Sequence, residues 1–480
     1  MVPHAAVRSV EPLQSSSHAF ELESTIATAL GVPAASITDD LAYRDIAEWD
    51  SLAHVRLMLE IEARYGVAIT SDHVSELTSV GAIRAFLLNG LTLAPSPSPS
   101  VLRQLNSSRQ VDETAPPPVH RGLAGIHFDR TAITHIDAGG NALRYRGYSV
   151  DELADRADFE QTAFLLIQGH LPRGEELAAF SAALRKARAI PASVERIVDA
   201  LSDRPPFNAL QAAVAALAET GPAAPDADLL AIAQFPTLLA SYHRLRSGSQ
   251  PLAPRPDLGH AANLLYLLQG RVPSDERAAA LEATLVILAD HSSSASTFAA
   301  RIVTGTNASV HAALASAIGA FSGPLHGGAV DRVIAMAEEV GSAENAADFV
   351  NGRFARNEVV YGFGHRVYRT ADPRSFRLRE LAARLSTGNR RLLDILEAIP
   401  PALAHQARLG LDVNVDFYAS AVFEALEIPR DLFGATFMAA RIAGLVAHCR
   451  EQRANNILIR PQLLYDGPAG RAYDTAHGAS

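Results

Sequence analysis

Three stretches of this 480-residue chain set proton-transferring side chains where backbone can approach a small molecule. Gly323-Pro324-Leu325-His326-Gly327-Gly328-Ala329 places a histidine among glycines after an apolar helical run. The segment from Val360 to Arg374 packs Gly362, Gly364, His365, Arg366, Arg369 and Arg374 into fifteen residues. Asn414-Val415-Asp416-Phe417-Tyr418 places a carboxylate in apolar company before another helical run. Glycine permits close backbone approach, histidine exchanges protons near neutral pH, and arginine forks match carboxylates and phosphates. The combination points to acid–base chemistry on a small anion. A fourth stretch, Glu48-Trp49-Asp50-Ser51-Leu52, precedes Val55, Met58, Leu59 and Glu62 at helical spacing; taken alone, Asp-Ser there is an ordinary N-cap.

The elements that must position these residues read as helices in two blocks. Phe20, Leu22, Ile26 and Leu30 recur at helical spacing and stop at Gly31-Val32-Pro33. Helices are expected from Asp50-Ser51 onward and from Thr78 to Leu88. Pro95-Ser96-Pro97-Ser98-Pro99-Ser100 and Ala115-Pro116-Pro117-Pro118 bracket a polar stretch without a core, so 91–121 reads as an interdomain linker, the alternative being a long surface loop. Beyond it, helical periodicity dominates, as in Phe159–Ile167, Leu281–Leu288, Val310–Phe321 and Ala435–His448. Residues 132–136 and 143–145 suit a small hairpin around Asp137-Ala138-Gly139-Gly140-Asn141.

The chain is 48% hydrophobic, with a net charge of −10 that argues against nucleic acid as a partner. Between His18 and Gly90 eleven acids face four arginines, so most of the net charge sits in the N-terminal block. Lys186 is the only lysine, which excludes a P-loop and leaves one candidate for a Schiff base. Cys449 is the only cysteine, and no disulfide can form within the chain. Neither a secretory signal nor an apolar run of membrane-span length is expected. A soluble cytoplasmic protein is the expectation.

In order and setting, His326, His365 and Asp416 resemble the catalytic trio of the citrate synthase family. The resemblance runs from about Gly122 to Pro468. Tyr145-Arg146-Gly147-Tyr148, Phe235-Pro236-Thr237, His260-Ala261-Ala262-Asn263 and Leu458-Ile459-Arg460-Pro461 fit it too. The acidic N-terminal block, with Ser51 after Trp49-Asp50, resembles an acyl carrier protein. Together these imply an all-α chain: a small helical carrier bundle at 18–90, the linker at 91–121, and at 122–470 an all-helical body of large and small subdomains.

The resemblance implies condensation of an acyl thioester with oxaloacetate or a related 2-oxo acid, giving citrate or an alkylcitrate. Asp416 would be the base, His326 the donor to the thioester oxygen, and His365 the acid at the ketone. A helix N-cap is the plainer reading of Asp416. Arg374, Arg441 and Arg460 match acceptor-binding positions, the last supplied in family homodimers by the other subunit. His291 matches a further acceptor ligand, Ser296 a serine that orients the donor histidine, and Arg366 and Arg369 contacts to coenzyme A phosphates. Ser51 would carry 4′-phosphopantetheine, added by a phosphopantetheinyl transferase, and the acyl donor would ride on that arm or on coenzyme A. No metal is called for. The family's His-Glu-x-Asn-Ala-Ser-Thr is His291-Ser292-Ser293-Ser294-Ala295-Ser296-Thr297 here, its Lys-Gly-Pro is Ser322-Gly323-Pro324, and its Arg-Pro-Arg is Arg460-Pro461-Gln462. A non-catalytic dimeric scaffold presenting the carrier is the alternative.

Overall fold

The computed structural model describes residues 16–88 apart from 44 and 47, and 119–469 apart from 124, 138–140, 218–226, 357, 366, 369–370 and 408–410. In the N-terminal block, α1 (Ser16–Leu30), α2 (Ser51–Tyr65), α3 (Ser71–Glu76) and α4 (Val80–Leu88) bury Leu22, Ile26, Leu57, Met58 and Ile83. Asp50 caps α2 by accepting the Ala53 amide at 2.8 Å, and Gly66 ends it in the left-handed region. The last helix begins at Val80 rather than at Thr78, because the Ser79 hydroxyl caps it by accepting from the Ala82 amide. Trp49 is fully buried, and its indole N–H donates to His54 Nδ1 at 3.0 Å. Indole is donor-only, so the proton of a neutral His54 lies on Nε2, 2.9 Å from the Val74 carbonyl. One side chain thus ties the loop before Ser51 to α2 and α3.

The body is helical apart from an antiparallel hairpin, β1 (Thr134–Asp137) and β2 (Ala142–Tyr145), extended by β3 (Tyr148–Ser149); Thr134 pairs with Tyr145. Its helices that bear on the site are α5 (Asp275–Leu288), α6 (Ala295–Gly305), α7 (Val310–Phe321), α8 (Val330–Val340), α9 (Pro373–Leu385), α10 (Val415–Ala425) and α11 (Phe433–Ala454). Helix α6 packs on α7, and α9 on α10. Helix α11 runs through the centre against α5, α6, α7, Phe159–Gln168 and Ala227–Arg246, and every residue from Phe433 to Cys449 is buried.

One expectation is corrected: an apolar helix of membrane-span length is present. The segment Arg430–Ala454 is long and apolar enough, by length and composition, to cross a bilayer. Its apolar window is wholly enclosed by the body, so the composition answers to a protein core.

Phe437, Arg441, Gly444 and His448 recur along one face of α11. That face meets the turn at 289–291, and the fit depends on Gly444: a Cβ there would lie 2.4 Å from both the Ala289 carbonyl oxygen and Asp290 Oδ1. Gly444→Ala should therefore cost about 1–3 kcal/mol by overpacking, outweighing the roughly 1 kcal/mol that alanine gains in helix propensity. Denaturant unfolding measures this, and unchanged stability would mean the turn yields freely.

Candidate active site

The loops carrying His365 and Asp416 are zipped together. Phe363 and Val413 form an antiparallel bridge, the Gly364 amide donates to Asp412 O at 2.8 Å, and the Asn414 amide donates to Gly362 O at 2.9 Å. The Asn414 side chain adds a bond to Gly364 O at 3.1 Å. Gly362 has φ +83, and a Cβ there would press on Phe417 at 2.6 Å, so the zip needs glycine. Asn414 caps α10 by accepting the Asp416 amide at 3.0 Å, so the cap falls to Asn414 and Asp416 sits in the first turn.

A cavity of about 480 Å³ opens beside this zip. His326, His365, Asp416, His291, Arg374 and Arg441 all line it, so six of the residues expected from the sequence converge. Ser296 lies just behind, fully buried, with Oγ 2.9 Å from His326 Nε2. The His326 loop settles onto Phe321 only because Gly327 lacks a Cβ, which would fall 2.0 Å from that ring. Arg460, expected from the other subunit of a homodimer, is exposed on the stretch after α11 and does not line the cavity of its own chain. Ser51 opens α2 in the N-terminal block. Arg366 and Arg369 lie outside the described residues.

Burial pushes the Asp416 carboxyl up to about 7, against the lowering pull of Arg374 and Arg441. No hydrogen bond reaches that carboxylate among the described residues, so it is basic and unengaged. Burial pulls His365 down to about 4, with Asp372 opposing and Arg374 reinforcing. The ring is neutral at pH 7. Its Nδ1 accepts the amides of Val367 at 2.9 Å and Tyr368 at 3.1 Å, which leaves the proton on Nε2, 3.9 Å from Asp372 Oδ2. Burial also holds His291 well below its usual range, helped by Arg374, His365 and Arg441.

Arg374 is buried and forked onto Asp372, with Nε–Oδ1 at 3.0 Å and Nη2–Oδ2 at 2.7 Å; its Nη1 is buried without a partner among the described residues. Arg441 donates through Nε to Leu288 O at 2.9 Å and lies over the Phe437 ring. A buried unpaired guanidinium nitrogen suits a carboxylate ligand. His291, His365 and Asp372 offer ligand atoms within 4.8 Å of one another, as a metal site would, but both Asp372 oxygens already bind Arg374.

Several supporting residues escaped the sequence reading. Asp372 caps α9 and grips Arg374; its place two residues before that arginine was the available signal. Asp290 Oδ2 accepts from Thr134 Oγ1 at 2.5 Å, the Ser292 amide at 2.9 Å and His448 Nε2 at 3.4 Å. Arg301 backs His448 through Nδ1 at 3.2 Å and also binds Asp129, Glu451 and Gln452. Hairpin, α6 and α11 thereby fix the turn that carries His291. Ser292 holds a left-handed φ of +51 in that turn, and Ser294 caps α6.

The chain matches the family profile "Citrate synthase, C-terminal domain" over residues 122–462 and the profile "Phosphopantetheine attachment site" over 21–87. It is 38% identical over 372 residues to a citrate synthase of Mycolicibacterium smegmatis, covering 75% of this chain and 98% of that one. It is 37% identical over 366 residues to a 2-methylcitrate synthase of Mycobacterium tuberculosis, covering 74% and 92%. Among solved structures, the citrate synthase of Thermotoga maritima aligns with a TM-score of 0.70 at 32% identity, covering 76% of this chain and all of that one. A Thermoplasma acidophilum citrate synthase in ternary complex with carboxymethyl coenzyme A and oxaloacetate aligns with a TM-score of 0.72 at 26% identity, covering 75% and 100%.

The raised carboxyl gives a stability prediction. A folded-state value above the ordinary carboxylate range of about 3.9 means stability is full below that range and declines as pH rises through about 7, where burial of the charge is complete. Asp416→Asn removes the penalty, so its advantage in thermal midpoint should grow between about pH 4 and 7 and then level off. An advantage independent of pH would show that the carboxyl titrates normally.

Proposed function

The chain belongs to the citrate synthase family and is a condensing enzyme of that kind; from that premise we propose that it joins an acyl thioester to oxaloacetate or a related 2-oxo acid. The convergence of Asp416, His326, His365, Arg374 and Arg441 on one cavity carries this reading. Arg374 and Arg441, with His291, bind the acceptor's carboxylates and orient its ketone. Asp416 removes the α-proton of the thioester. His326, with Nε2 engaged by Ser296, donates from Nδ1 to the thioester oxygen as enol character develops. The enol carbon attacks the ketone carbon, and His365 passes its Nε2 proton to the resulting alkoxide. Water then cleaves the thioester, releasing the thiol and the tricarboxylate. The ternary complex of the Thermoplasma enzyme supports both substrate classes.

The donor is, in our reading, carried on Ser51. The bound 4′-phosphopantetheine arm supplies a thiol that holds the acyl group as a thioester. The residues fit it: Ser51 opens a helix, where amides and dipole favour a phosphodiester, and Trp49 and His54 brace the loop before it. Tethering the carrier to the same chain raises the effective concentration of its acyl donor at the cavity. Arg460 serves the cavity of a second copy in a homodimer, consistent with its exposure beyond α11. A phosphopantetheinyl transferase is the required partner. Free acyl-CoA is the second reading, favoured because the citrate synthase profile matches residues 122–462 without the N-terminal block.

Holo protein acylated on Ser51 and given oxaloacetate should lose the acyl mass and release citrate or an alkylcitrate, while Ser51→Ala should lose carrier-fed turnover. A persistent adduct beside full turnover of free acyl-CoA would overturn the carrier-fed reading. Asp416 acts deprotonated, so kcat/KM for the donor should fall tenfold per pH unit below about 7. Asp416→Asn should lower kcat by about 10²–10⁴-fold. An acid limb near pH 4 would show that Asp416 titrates as an ordinary carboxylate, and full activity in Asp416→Asn would reassign the base.

A further inference from the structure

Tyr368 stands between the two acceptor-side histidines. Its ring centroid lies 4.6 Å from that of His365 and 5.6 Å from that of His291, and only 2% of the residue is exposed. Its amide donates to His365 Nδ1 at 3.1 Å, and its hydroxyl lies 3.2 Å from His291 Nε2. A neutral imidazole has one donor and one acceptor nitrogen, so each contact selects a tautomer. For His365 the direction is set by the backbone. For His291 it follows from accounting for the hydroxyl: a buried O–H needs an acceptor, and among the described residues His291 Nε2 is the one the Tyr368 hydroxyl reaches. Burial keeps the phenol protonated at any working pH. His291 Nδ1 makes no hydrogen bond among the described residues, and the side chain lines the cavity.

We propose that Tyr368 is a positioning residue that donates to His291 Nε2, fixes the His291 proton on Nδ1, and so presents an N–H donor to an oxygen of the acceptor. The inference rests on an oxo-acid acceptor, as read above. With its other tautomer, His291 would turn a lone pair toward an anion and repel it. Tyr368 thus presets both histidines as donors, His365 through its amide and His291 through its hydroxyl.

The test is a double-mutant cycle on the full chain, read as the oxaloacetate dissociation constant by calorimetry. Tyr368→Phe keeps the ring and the amide and removes only the hydroxyl. It should weaken oxaloacetate binding about tenfold, the loss of one well-placed donor, with the KM for the acyl donor and the thermal midpoint unchanged. In a His291→Ala background the same substitution should change binding less than twofold. Multiplicative losses, or a common rise in both substrate constants with a lower thermal midpoint, would overturn the positioning role. Failure of the unsubstituted chain to bind oxaloacetate would overturn the acceptor reading and this inference with it.

Discussion

Two guanidinium groups held inside an apolar helical core set the terms for everything around them. Arg374 and Arg441 are 3% and 2% exposed, at a depth where an unpaired charge is costly. Each has a partial answer within the chain: Asp372 grips Arg374 from two sides, and the Leu288 carbonyl and the nearby charge of Asp290 support Arg441. The answer for Arg374 is incomplete, since its Nη1 has no partner among the described residues. The pocket is therefore left with an unanswered buried N–H on Arg374, a feature that suits a carboxylate ligand. Burial, reinforced by Arg374, keeps His291 and His365 neutral, so each ring can offer one N–H donor.

Asp416 responds to the opposite pressure. The helix terminus and both arginines favour its ionised form, yet burial outweighs them. A carboxyl close to half-ionised at neutral pH is a poor structural element and a good base. Its loop is accordingly fixed by others: the Phe363–Val413 bridge, the Asn414 cap and the glycine at 362 hold it while its own oxygens remain unengaged among the described residues.

Much of this was legible in the residues. Helical periodicity located α5, α7 and α11, and the turn residues at 137–141 announced the hairpin. His326, His365 and Arg374 sit in motifs whose glycines and prolines mark loops or helix starts, whereas Arg441 lies in mid-helix and was legible only by resemblance. What stayed hidden depends on distance in the chain. Asp290, His448 and Arg301 form one buried chain of hydrogen bonds across more than 150 residues of sequence, and no local pattern separates such residues from ordinary core. Tyr368 was hidden differently: it lies inside a motif read for its charges, and its hydroxyl matters only because His291 arrives from another helix end. Arg460 was legible by type and position, but one chain gives it no cavity to enter.

The central helix has a consequence for how the protein is made. Residues 433–454 supply the surface on which α5, α6, α7 and the two earlier helices pack, and they leave the ribosome after some three hundred residues of body have already emerged. The body cannot close its core until then, so its apolar helix faces wait unpartnered during synthesis, a period in which such surfaces invite aggregation. The acidic N-terminal block, complete by residue 88, emerges well ahead of this delay and keeps a strongly charged, early unit attached to a slow one.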